Sequence, residues 1–150
     1  MKNFDEILSQ TKLFQGLSPE YIQLLAGCAS NARFDPGEYL LREGEPADSF
    51  YLIRHGQVAL ELHDPRRGQL IIDTLNEDEI LGWSWLFPPY KWVYSARAVI
   101  LTRAVAMDGK CLREKCDRDP VLGYELMKRF AVIMVDRLQT TRLQVLNIYG

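Results

Sequence analysis

Apolar residues fall along the chain in three textures. At the start, Phe4, Ile7 and Leu8 sit at helical spacing, and Leu13-Phe14-Gln15-Gly16-Leu17 leads into Ser18-Pro19-Glu20. Ser18 suits a helix cap and Pro19 the first helical position, and Tyr21, Leu24, Leu25 and Cys28 then give that helix one apolar face. From about residue 31 to about 107 the pattern changes to short alternating runs. Phe34 precedes Asp35-Pro36-Gly37, and Tyr39-Leu40-Leu41 precedes Glu43-Gly44. Phe50 to Ile53 ends at His55-Gly56, and the polar turn Asp64 to Gly68 separates Val58, Leu60 and Leu62 from Leu70-Ile71-Ile72. Many short strands broken by such turns predict a roll, barrel or sandwich of about eight strands. From about 108 to 149 the helical period returns. Asp108 caps a short helix through Cys116, and Asp119-Pro120 opens a long one.

Along that last helix Leu122, Leu126, Phe130, Ile133, Val135, Leu138, Val145 and Leu146 recur at three- and four-residue steps, widened by Met127, Met134 and Ile148. So long a helix on a small domain is expected to bury part of its stripe in a homodimer seam, with Leu126, Phe130, Ile133, Leu138 and Val145 as its residues. The alternative is a helix packed wholly on its own roll. Lys128, Arg129, Arg137 and Arg142 are expected on the solvated face.

A chain of 150 residues, 47% hydrophobic and 25% charged, suits one domain with a sizeable core. The organisation expected is a helical lead-in over about 1–30, a β-roll over about 31–107 and helices over about 108–149. A net charge of −2 gives no field that would draw the molecule to nucleic acid. Three cysteines without a CxxC pair argue against a disulfide framework. With no secretory signal and no apolar run of spanning length, a cytoplasmic protein without a membrane span is expected.

At Asp35-Pro36-Gly37-Glu38, Glu43-Gly44-Glu45-Pro46-Ala47-Asp48 and Phe50-Tyr51-Leu52-Ile53-Arg54-His55-Gly56 the chain resembles the cyclic-nucleotide-binding domain family. Leu13-Phe14-Gln15-Gly16-Leu17-Ser18 resembles that family's opening segment, and Leu81-Gly82 falls where its phosphate-binding cassette begins. The resemblance implies a mainly β fold: a double-stranded, jelly-roll-like β-roll with N-terminal helices and a long C-terminal helix. It also implies a stand-alone sensor or regulatory module and not an enzyme.

In the family, backbone N–H groups of a short cassette helix hold the cyclic phosphate, a Glu beside the glycine binds the ribose, and an Arg nine residues on pairs with the phosphate. Counted without gaps, this chain has Trp83 at the Glu position and Trp92 at the Arg position. A charge-assisted bond of that kind is worth roughly 1.5–3 kcal/mol. Losing both contacts would weaken cAMP or cGMP binding by about two to four powers of ten. The cassette candidates for ligand contact are Gly82, Trp83, Ser84, Trp85, Trp92, Val93 and Ser95. Six of the twelve residues from 83 to 94 are aromatic, so the rings either fill the pocket or line it for a flat small molecule. Any ligand is expected to be a cyclic nucleotide or another small molecule, held weakly. The alternative is a ligand-free dimerisation or protein-docking module.

His55 and His63 lack the carboxylate and histidine companions of a metal site, and no nucleophile–base motif is present. Direct DNA binding is not expected either, because the long helix reaches the last residues, leaving no recognition helix after it.

Overall fold

The computed structural model describes residues 3–149, apart from the side chains at 145, 148 and 149. Its elements run α1 (Phe4–Gln10), α2 (Pro19–Ala26), β1 (Ala29–Phe34), β2 (Tyr39–Leu41), β3 (Ser49–His55), β4 (Val58–Asp64), β5 (Gly68–Leu75), β6 (Ile80–Leu81), β7 (Ser95–Ala98), β8 (Thr102–Asp108), α3 (Gly109–Arg118) and α4 (Pro120–Tyr149). Single 3₁₀ turns lie at Lys12–Phe14 and Ser84–Leu86.

The helix starts follow from the capping residues. Ser18 Oγ accepts from Tyr21 N at 3.3 Å and Asp108 Oδ1 from Cys111 N at 3.1 Å. Asp119 Oδ1 accepts from Val121 N at 3.1 Å and Leu122 N at 3.3 Å. Each cap satisfies amides that have no partner within the helix.

The strands form two four-stranded antiparallel sheets, ordered β1-β8-β3-β6 and β2-β7-β4-β5. Strand alternation divides the interior in two. Phe50 and Leu52 of β3 join Val105 and Met107 of β8 against the helices. Tyr51 and Ile53, with Ala104, face the other sheet. Buried on both faces, β3 reads as the continuous apolar run Phe50 to Ile53. Gly56 shows why a glycine must end that strand. Its φ is +113°, and a Cβ there would lie 2.7 Å from Leu101 O.

The helical core centres on three rings. Phe50 stacks on Trp85 at 5.1 Å, and Phe130 meets both edge-on at 5.1 and 5.4 Å. Leu122, Leu126 and Phe130, one turn apart on α4, are all buried there. This corrects the dimer expectation for Leu126 and Phe130, which their own domain covers completely. Ile133 is half-buried against the same core, whereas Leu138 is exposed; the Val145 side chain lies outside the described residues.

The cysteine expectation is also corrected. Cys28, after α2, and Cys111, in α3, are joined in a disulfide, although 83 positions separate them in sequence. Spacing arguments see only neighbours along the chain, and here β1 and β8 bring the pair together.

Candidate functional site

The cassette begins where β6 pairs with β3, Leu81 opposite Tyr51. Gly82 follows at φ +99°, and a Cβ on it would meet the Trp92 ring at 2.6 Å. Glycine here therefore admits an indole directly against the backbone. The Trp92 backbone is fixed from the β2–β3 connection: its N donates to Glu45 O at 3.0 Å, and its O accepts from Gly44 N at 2.8 Å. Its side chain is buried among Leu40, Leu41, Ile53, Leu60 and Leu81, inside the roll.

The cassette helix is reduced to one 3₁₀ turn, Ser84–Leu86, and the Leu86 N–H is taken up by Trp83 O at 3.0 Å. Trp85 leaves the roll entirely and lies in the helical core, fully buried. Its expected role at the pocket is thus corrected, because the 3₁₀ turn carries its ring out of the roll and against Phe50 and Phe130. Trp83 is half-buried beneath α4, with the Arg137 guanidinium 5.3 Å from its ring centroid. Ser84 is half-buried beside it. Val93 is 62% exposed, which corrects its assignment to the pocket. It sits between Trp92 and Tyr94, both buried within the roll, so its own side chain turns outward. Ser95 is buried, and its Oγ accepts from Glu43 N at 2.9 Å. It borders a shallow polar depression of about 660 Å³ with Arg42, Glu43 and His63.

Four positions that shape this region were left off the candidate set read from sequence. Tyr94 points into the roll beside Trp92, and its hydroxyl has no hydrogen-bond partner among the described residues. Burial pushes its phenol up to about 12, with nearby Asp73 adding to the shift and Arg137 opposing it. Its signal was available in the spacing: residues 92, 94 and 96 alternate through a bend into β7, and all three are buried in the roll. Arg137 was expected on the solvated face, but its Nη2 donates to Ile80 O at 2.9 Å, tying α4 to the cassette threshold. Arg129 turns inward too, its Nη1 donating to Leu13 O at 2.8 Å and Gln15 O at 2.6 Å. All three bonds cross more than fifty residues of sequence, which no local pattern encodes. Arg113 of α3 donates to Trp85 O at 2.7 Å and Ala47 O at 3.4 Å, and its guanidinium lies 4.4 Å from the Tyr90 ring centroid.

Between α4 and the β5–β6 connection runs a groove of about 530 Å³, lined by Asp73, Glu79, Ile80, Ile133, Arg137 and neighbours. The arrangement joins an aromatic-packed roll, a short cassette and a long helix through Arg113 and Arg137. A shift of the cassette would reach α3 and α4 directly, and no reacting group is needed for that.

Comparison with known proteins agrees with this geometry. The chain is 28% identical over 137 residues to a CRP-like cAMP-activated global transcriptional regulator of Mycobacterium tuberculosis, covering 91% of this chain and 59% of the regulator. It therefore spans less than two thirds of that relative's length. Among solved structures it resembles a chain from Geobacter metallireducens GS-15 assigned to the cyclic nucleotide-binding proteins, with a TM-score of 0.81, 27% identity and coverage of 92% and 99%. A cyclic nucleotide-binding domain from Methylobacillus flagellatus KT shares the fold, with a TM-score of 0.80, 23% identity and coverage of 97% and 82%. The family model of the cyclic nucleotide-binding domain matches residues 32–119, more than half of the chain, so this protein belongs to the cyclic nucleotide-binding domain family.

Proposed function

We propose that the chain is a regulatory module that signals through the cassette and α4, and that its roll does not take cAMP or cGMP in the family's usual manner. The observation carrying this reading is Trp92, whose ring lies against Gly82 where a phosphate-binding Arg is expected. Tyr94 adds a second buried ring, and Trp83 supplies no carboxylate for a ribose hydroxyl. Titration calorimetry with cAMP and cGMP tests the reading. No saturable heat is expected at micromolar nucleotide, and a clear micromolar isotherm would overturn it.

The burial of Trp92 and Tyr94 also favours a second reading, in which the roll is a ligand-free dimerisation or docking module. Both readings use α4 as output and share a homodimer proposal. Val121, Tyr124, Val132, Val135, Leu138, Leu143 and Leu146 are each at least half exposed and follow one another along the outer side of α4. Their steps are those of a helical stripe that a second copy would bury.

A further inference from the structure

We propose that Cys28 and Cys111 form a reversible dithiol–disulfide switch that sets how firmly α3 holds both the cassette and the long helix. The disulfide joins the end of α2 to the first turn of α3, with Cα atoms 5.9 Å apart. Three features of α3 make that position consequential. Arg113, two residues beyond Cys111, grips the cassette at Trp85 O. Leu112 is fully buried in the core that seats α4. Cys116 packs at the α3–α4 crossing, where a Cβ on Gly123 would lie 3.3 Å from the Cys116 Cβ. A restraint released at Cys111 therefore acts on the cassette and on the base of α4 through one ten-residue helix.

Reversibility follows from what remains when the bond opens. Asp108 N still donates to Cys28 O at 2.9 Å, and Gly109 N to Asp48 O at 2.8 Å. The Asp108 cap and the buried Leu112 are untouched. The two thiols thus stay facing each other, and the fold survives reduction. Access is uneven: Cys28 is 6% exposed, whereas Cys111 is half-buried. A thiolate of a low-molecular-weight reductant, such as glutathione, attacks Cys111 Sγ, forming a mixed disulfide and releasing the Cys28 thiolate, which takes a proton. A second reductant thiolate attacks the reductant sulfur, frees the Cys111 thiolate for protonation and leaves as the oxidised disulfide. Two electrons and two protons pass to the protein, and glutathione disulfide reverses the sequence. Cys116 stays outside this exchange as the free cysteine of the three.

The test equilibrates the full chain in glutathione buffers of increasing reducing ratio. Cysteines are trapped by acid, alkylated in denaturant and counted by mass, while amide hydrogen exchange is followed on the same samples. One alkylated cysteine is expected at the oxidising end and all three at the reducing end. Amides of α3 and the first turns of α4 should exchange about tenfold faster once reduced. Loss of the cross-link should also lower the melting temperature by roughly 10 °C. Cys28→Ser should reproduce the reduced exchange pattern, and if that variant fails to fold, the wild-type titration still decides. A bond that stays closed at the reducing end, or thiols that never pair at the oxidising end, would overturn the switch. So would unchanged exchange in α4. The count of alkylated cysteines is internal to one chain, so failure of the nucleotide or dimer proposals leaves it unaffected.

Discussion

Tyr94 and Gly82 carry most of what is particular to this roll. The Tyr94 hydroxyl is buried without a partner among the described residues, a situation that costs about 1–3 kcal/mol. Replacing it with Phe is expected to leave stability unchanged or raise it at neutral pH. At high pH the variant separates further from the parent. The folded phenol, raised to about 12 from 10.0, stays protonated where the unfolded one ionises. Its stabilising contribution is therefore complete below pH 10 and disappears as pH rises through about 12. The parent should lose about 2–3 kcal/mol more than Tyr94→Phe across that interval. Denaturant melts at stepped pH would measure it; parallel curves for the two proteins would refute the buried phenol. At Gly82 the legible feature was a glycine at the cassette start. The ring that leans on it was invisible, because Trp92 lies ten positions away and its backbone is held by accepting from Gly44 N and donating to Glu45 O.

At the scale of elements, α4 shows how one apolar pattern serves two faces. Leu122, Leu126 and Phe130 lie inside, while Val132, Val135 and Leu138 lie outside. A stripe drawn from sequence merges them, because apolar residues mark burial without saying what covers them. The distinction is measurable. Phe130→Ala opens a void in the three-ring cluster and should cost about 3–5 kcal/mol. The shift in denaturant midpoint at unchanged slope would report it, and a loss below 1 kcal/mol would mean Phe130 is not core. The elements themselves were readable because Ser18, Asp108 and Asp119 announce their helices and the glycines end their strands.

For the whole molecule, the question is what becomes of the outer face of α4. Light scattering at low micromolar concentration should give twice 17.3 kDa. Leu138→Glu, half exposed in the single chain, should return the mass to one copy while leaving the melting temperature of the roll within a few degrees. A parent that is already monomeric would refute the seam.

The sequence by itself determined the order of elements and a roll, barrel or sandwich of short strands, and its resemblance to the family singled out the roll and put Trp83 and Trp92 where an acid and an arginine are expected. Those follow from periodicity, turn chemistry and residue identity, all of which are local. Tertiary structure alone decided that Trp92 and Tyr94 enter the roll while Trp85 leaves it, and that Arg129 and Arg137 turn inward to distant carbonyls. It also decided that Cys28 meets Cys111. Each is a contact between segments far apart in the chain, fixed by strand register and helix docking, and no spacing within one segment encodes it.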